Sequence, residues 1–220
     1  MTEEYNAGEN MNKNYLMFDM DGTLLDSMHA WVMSGPEYAE QVLGEKNSRI
    51  SDEFARLSVK KALYSLAEVA GADKVSLDGF SKVLLNHYLT DCSVKPGVVE
   101  FLKKQKAKGA HMCVITATPK IAAIPALKHL GLMDYFDFII TYDDFPSGKD
   151  KPDIFFEACK RFGCEISDAA MFEDALYSIK TSTSIGIYTI GVPEKIYKSD
   201  EDTILNTADL FLHNGFTDLL

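Results

Sequence analysis

Apolar positions in this chain gather into short, almost uninterrupted runs that end abruptly at polar residues. Tyr15-Leu16-Met17-Phe18 stops at Asp19, Met112 to Ile115 stops at Thr116, and Ala169 to Phe172 stops at Glu173. Phe138 to Ile140 and Ile187 to Ile190 have the same form, and Leu210 to Leu212 is a weaker sixth run. Such runs, bounded by turns, suit strands buried on both faces of a parallel sheet. Helical spacing fills the gaps between them. Gly97 to Lys108 carries Val98, Phe101 and Leu102 and stops at Gly109. Ile121 to Leu130 closes on Gly131, and Ile154 to Phe162 closes on Gly163, as helices that end on glycine do. The alternation predicts an open α/β sheet with right-handed crossovers.

One stretch breaks the alternation. Residues 27–93 hold no strand-like run, and Ala55, Val59, Ala62, Leu63, Leu66, Ala67 and Ala70 recur at helical spacing. Phe80, Val83, Leu84 and His87 do so again. The stretch is too long for a loop. The expected organisation is therefore a core of residues 1–26 and 94–220, interrupted by a helical cap of residues 27–93.

Composition narrows the class. With 220 residues, 46% hydrophobic and 25% charged, the chain suits one sizeable soluble domain carrying a smaller insertion. A formal net charge of −11 repels polyphosphate backbones. The densest basic stretch, Lys103 to Lys108, fits the solvated face of a helix, so nucleic acid is not an expected partner. The four cysteines (Cys92, Cys113, Cys159, Cys164) have neither CxxC nor zinc-ligand spacing. The first residues are polar with no apolar signal segment, and Met11 could serve as an alternative start. No apolar run approaches the length of a membrane span. A cytoplasmic protein without membrane partners is expected.

The candidate chemistry lies where the apolar runs end. Asp19 and Asp21, at i and i+2 off a strand, project to one side. They would stand just beyond the carboxyl end of a parallel strand, where open α/β sheets bind ligands. Carboxylates so close repel each other unless a divalent cation neutralises them or one holds a proton. Gly22 permits a sharp departure of the backbone. Read alone, Asp-x-Asp-Gly could equally be a turn. Thr116 ends a second run, and Thr118-Pro119 resembles a helix start that would aim N–H groups at an anion. Lys149 and Lys151 form a third constellation, and Glu173-Asp174 a fourth. Paired acids suit a hard cation that wants oxygen ligands, though they also suit a helix cap.

The segment DMDGTLLDS closely resembles the first motif of the haloacid dehalogenase superfamily, DxDGT(L/V)xDS. The three later constellations resemble its remaining motifs, in the order the superfamily uses, over almost the whole chain. The resemblance implies a Rossmann-like, doubly wound parallel sheet with an inserted helical cap. In a sheet of order 3-2-1-4-5 the strands ending in Thr116, Asp19 and Asp174 are neighbours. The resemblance further implies a Mg²⁺-dependent phosphatase acting on a small phosphorylated metabolite. Asp19 would be the nucleophile that forms an aspartyl-phosphate, and Asp21 the general acid and then base. Thr116, with Gly22 and Ala117, would contact the phosphoryl group. Asp19, Asp21, Glu173 and Asp174 would surround the metal.

The lysine has two candidates. Alignment on Pro152-Asp153-Ile154-Phe155 selects Lys149, whereas the Lys-Pro pair selects Lys151; the family spacing to Asp153 places Lys149 first and Lys151 second. Three departures from the family pattern stand out: Ser178 replaces a usual glycine, and Thr181 and Ser182 replace two alanines. Asp26 would cap the exit into the insertion. Phosphomutases with this cap type carry a histidine where this chain has Trp31, with His29 displaced, which ranks phosphatase above mutase. Receiver-type phosphoacceptor modules share the residue types, but their acidic pair lies on an earlier strand and they carry no insertion. Trp31, Met33, Tyr38, Arg56, Lys60 and Lys61 are candidates by type for contacting the leaving group.

Overall fold

A computed structural model describes residues 13–44, 59–145 and 147–220, with the side chains of Val59, Lys60 and Ala62 excepted. The predicted positions Ala55, Arg56, Lys60 and Ala62 therefore lie outside the described residues or side chains. The chain enters through β1 (Tyr15–Phe18) and β2 (Leu25–Asp26), then runs through α1 (Met28–Leu43), α2 (Val59–Ala70) and α3 (Leu77–Thr90). It returns by β3 (Ser93–Val94) and continues through α4 (Val98–Ala107), β4 (His111–Ile115), α5 (Lys120–His129), β5 (Phe138–Ile140) and α6 (Asp153–Phe162). The last third comprises β6 (Ala169–Glu173), α7 (Leu176–Ser184), β7 (Tyr188–Gly191), α8 (Glu201–Thr207) and β8 (Leu210–Phe211).

Six of these strands form one parallel sheet of order β5-β4-β1-β6-β7-β8. The first five follow the expected doubly wound order, and the weak sixth run adds β8 at the edge. Residues alternate between the two faces, as a pleated strand requires. Leu16, Phe18, Met112, Val114, Ala170 and Phe172 join one apolar cluster, with α4 and α5. Met17, Cys113, Ile115, Ala169 and Met171 join the other, against α6. Both faces are covered, which is why these strands read as continuous apolar runs. On the first face Phe18 stacks on Phe172 with ring centroids 4.7 Å apart, and Phe101 and Phe216 close around them.

The three helices α1 to α3 form the insertion. Trp31, Tyr38 and Phe80 pack at its centre, with Trp31 and Phe80 ring centroids 5.8 Å apart. α3 also lies against α5 of the core. Where the chain leaves and re-enters the core, β2 and β3 pair antiparallel, Leu25 with Val94 and Asp26 with Ser93. Two-residue strands have no periodicity to detect, so this ribbon was not foreseen. Asp26 itself is exposed and caps nothing: Ser27 occupies the N-cap position of α1, and its hydroxyl is turned elsewhere. Ser178, at the usual glycine, is fully buried, and α7 nonetheless runs unbroken from Leu176 to Ser184. No helix among the described residues is long and apolar enough to cross a membrane.

Candidate active site

The sheet fixes Asp19 before any side chain does. Its N–H donates to the Phe172 carbonyl at 2.9 Å, carrying the β1–β6 ladder one residue past the strand. The chain then folds back: the N–H groups of Leu24 and Leu25 both donate to the Met20 carbonyl, at 3.0 and 2.9 Å. Gly22 sits in this turn with φ of +76°, a conformation L side chains rarely adopt. A Cβ there would lie 2.1 Å from Asp174 Oδ2. Glycine is thus required twice, for the backbone angle and for the close approach to Asp174.

On the core side of the site the groups are ionic. Lys149 lies in the 3-10 turn Gly148–Asp150 and is 2% exposed. Its ammonium donates to Asp19 Oδ1 at 2.5 Å and to Glu173 Oε2 at 2.6 Å. The other Glu173 oxygen accepts the N–H groups of Asp174 and Ala175, at 3.1 and 3.0 Å. Lys151 is exposed and joins none of these contacts, which corrects its inclusion among the site residues. Lys149 lies inside the turn, whereas Lys151 follows it in extended backbone and is exposed.

Charge is crowded here. Burial pushes Asp19 up to about 8, Lys149 opposes the shift, and Glu173 and Asp21 add to it. Burial likewise holds Asp174 well above the usual carboxylate range, reinforced by Glu173 and Asp19. Burial would lower Lys149, but Asp19 and Glu173 outweigh it and hold the ammonium firmly protonated. One lysine cannot balance three carboxylates.

Asp19, Glu173 and Asp174 each offer an oxygen within 4.8 Å of the others. Asp174 Oδ2 is buried with no hydrogen-bond partner among the described residues, while Thr23 Oγ1 donates to Oδ1 at 3.2 Å. A buried, partnerless carboxylate oxygen is costly unless a cation takes it. The donor set, all oxygen, fits a hard divalent ion. Asp21 was expected among the metal residues, but its carboxylate is not in this cluster.

Asp21 faces the other way, into hydroxyl groups. Oδ1 accepts Ser27 Oγ at 2.7 Å and the Tyr88 hydroxyl at 2.7 Å, and Oδ2 accepts Thr118 Oγ1 at 2.6 Å. Burial raises its carboxyl, and the three hydroxyl donors pull it back. Thr116 is buried beside this group, its Oγ1 accepting the Thr118 N–H at 3.0 Å, and half-buried Ala117 lies between them.

Every residue predicted for catalysis, phosphoryl contact or metal, except Lys151, thus belongs to the C-terminal ends of β1, β4 and β6 or to the turn bearing Lys149. Sequence reasoning missed Thr23, Ser27 and Tyr88, and it read Thr118 as a helix start rather than as a donor to Asp21. The first two lie inside the quoted motif. Tyr88 follows Leu84 by one helical turn on the same buried face, a spacing that could have found it. Of the candidate leaving-group contacts, Trp31 and Tyr38 are buried, while Met33 and Lys61 are exposed. His29 is exposed.

A doubly wound parallel sheet with two carboxylates past its central strand, and a lysine and acidic pair on its neighbours, defines a class of hydrolase. The chain belongs to the haloacid dehalogenase-like hydrolase family, whose sequence profile matches residues 16–192. It is similar to a validoxylamine A 7′-phosphate phosphatase of Streptomyces hygroscopicus subsp. limoneus, 31% identical over 196 residues, covering 80% of this chain and 84% of that protein. It is also similar to a phosphoglycolate phosphatase of Rhodobacter capsulatus, 31% identical over 204 residues, covering 88% and 90%. Among solved structures, CbbY from Rhodobacter sphaeroides has the same fold, with a TM-score of 0.79 at 19% identity over 94% of this chain and 99% of that one.

Proposed function

We propose that the protein is a Mg²⁺-dependent phosphoric monoester hydrolase acting on a small phosphorylated metabolite through an aspartyl-phosphate on Asp19. The observation that carries this is the division of labour at the end of β1. Asp19 faces a lysine and a cation-type carboxylate cluster, and Asp21 two residues on faces hydroxyl donors. Relatives 31% identical that are named as phosphatases of small phosphorylated compounds support the substrate class.

Asp19 attacks phosphorus with a carboxylate oxygen, and the ester P–O bond breaks. Asp21 gives a proton to the departing oxygen, then removes one from the water that attacks the aspartyl-phosphate. That second step releases inorganic phosphate and restores Asp19. Splitting one displacement into two lowers the barrier of each, and one group serves as acid and then base. Lys149 holds Asp19 in place and stabilises the added negative charge of the phosphoryl group. Thr116, Ala117 and Gly22 line the place where that group sits. Mg²⁺, held by Asp19 and Asp174 with Glu173 directly or through water, would neutralise the carboxylates and the phosphoryl oxygens.

Residues 1–26 and 94–220 form the catalytic core, and residues 27–93 a cap that closes over the site and excludes water. Trp31, which cannot exchange a proton in the way a histidine does, favours hydrolysis over phosphoryl transfer within a sugar. The test is phosphate release from p-nitrophenyl phosphate and a panel of small phosphate esters, with Mg²⁺ or EDTA. Release that needs Mg²⁺ is expected. Equal release in EDTA would contradict the metal assignment, and none from folded, Mg²⁺-binding protein would contradict the hydrolase.

A further inference from the structure

Asp21 is held from the far end of the insertion as well as from its own loop. Tyr88, near the end of α3 and fully buried, donates its hydroxyl proton to Asp21 Oδ1 at 2.7 Å. Its oxygen accepts Trp31 Nε1 at 3.2 Å, and Thr118 Oγ1 lies 3.2 Å away. A hydroxyl has one proton to give, and an indole nitrogen can only donate. Thr118 spends its proton on Asp21 Oδ2 at 2.6 Å, so it has none for Tyr88. Trp31 offers Tyr88 nothing to donate to. The Tyr88 proton has two acceptors in reach, Thr118 Oγ1 at 3.2 Å and Asp21 Oδ1 at 2.7 Å, and the shorter contact to a carboxylate is the stronger bond.

We infer that Tyr88 is a positioning residue for Asp21. α3, seated against α5, carries the hydroxyl that fixes the carboxylate's orientation, so proton delivery to the leaving oxygen depends on the insertion being docked. This rests on the reading of Asp21 as the acid. A phenylalanine would fill the same space, so burial alone does not call for the hydroxyl. A buried hydroxyl without partners is costly, and this one is spent on the acid and on the indole that aims it. Displacing a reacting group by about 1 Å can cost ~100-fold in rate, so loss of one of three restraints should be measurable.

The experiment compares phenyl phosphate with p-nitrophenyl phosphate, two esters of similar shape that differ in how much the leaving oxygen needs a proton. Wild type, Tyr88→Phe and Asp21→Asn are assayed with Mg²⁺ for kcat and KM, alongside thermal melts. In Tyr88→Phe, kcat/KM, which reports formation of the aspartyl-phosphate and not the hydrolysis step common to both esters, is expected to fall about tenfold on phenyl phosphate and less than about twofold on p-nitrophenyl phosphate. Asp21→Asn is expected to show the same selectivity more strongly. Trp31→Phe, which removes the indole donor together with some buried packing, should show it more weakly, and it stands in if Tyr88→Phe melts early. An equal fall in kcat/KM on both esters in Tyr88→Phe, or on neither, while Asp21→Asn stays selective, would overturn the inference alone. Absence of selectivity in Asp21→Asn would overturn the acid role and the inference with it.

Discussion

Asp19 and Asp21 stand two residues apart on one turn, yet they belong to two different regions. The core side, with Lys149, Glu173 and Asp174, is ionic and built by strand ends that the parallel sheet brings together. The insertion side, with Ser27, Tyr88, Thr118 and Trp31, is neutral and built from hydroxyls and an indole. Two equal side chains thereby acquire unlike chemistry from their surroundings. Burial raises both carboxyls, but a cationic lysine opposes the shift at Asp19 and hydroxyl donors oppose it at Asp21.

Substitutions can break this contrast, and the core side should respond most. Asp19→Asn is expected to lower kcat by about 10⁴-fold or more while the protein still folds and melts cooperatively. Lys149→Met should cost about 10²–10³-fold in kcat. It should also lose roughly 3–5 kcal/mol of stability, because buried carboxylates lose their partner, as a denaturant titration would report. Lys151→Met should change neither by more than about twofold, and a comparable loss there would contradict the choice of Lys149. Gly22→Ala would drive a Cβ to 2.1 Å from Asp174 Oδ2, and Mg²⁺ affinity measured by calorimetry should fall about 10–100-fold. Thr23→Val, which removes only the hydrogen bond to Asp174 Oδ1, should weaken Mg²⁺ by about tenfold at most.

Much of the ionic region was legible in the chain. Strands buried on both faces must read as apolar runs, and their first polar residues, Asp19, Thr116 and Glu173, must lie at the sheet's carboxyl edge. Lys149 could be placed only against Lys151, because which of two nearby lysines a short turn buries depends on its backbone angles. The insertion side was mostly illegible. Tyr88 meets Asp21 across 67 residues of sequence, and nothing local marks a buried tyrosine as a donor to a distant acid. The β2–β3 ribbon escaped for a similar reason, since its two-residue strands are defined by pairing and by no pattern of their own. The Asp21 carboxylate turns away from the Asp19, Glu173 and Asp174 cluster because side-chain direction beyond a strand end follows the turn made by Gly22 rather than the strand period.

The central claim is that Asp19 becomes phosphorylated during turnover. Wild-type protein mixed with p-nitrophenyl phosphate and Mg²⁺, quenched in acid within milliseconds and digested, tests it by mass spectrometry. The account predicts a transient phosphoryl group on Asp19 in the peptide carrying Asp19-Met20-Asp21, absent from Asp19→Asn. Full turnover with no phosphorylated peptide at any quench time, or with the group on another residue, would contradict it.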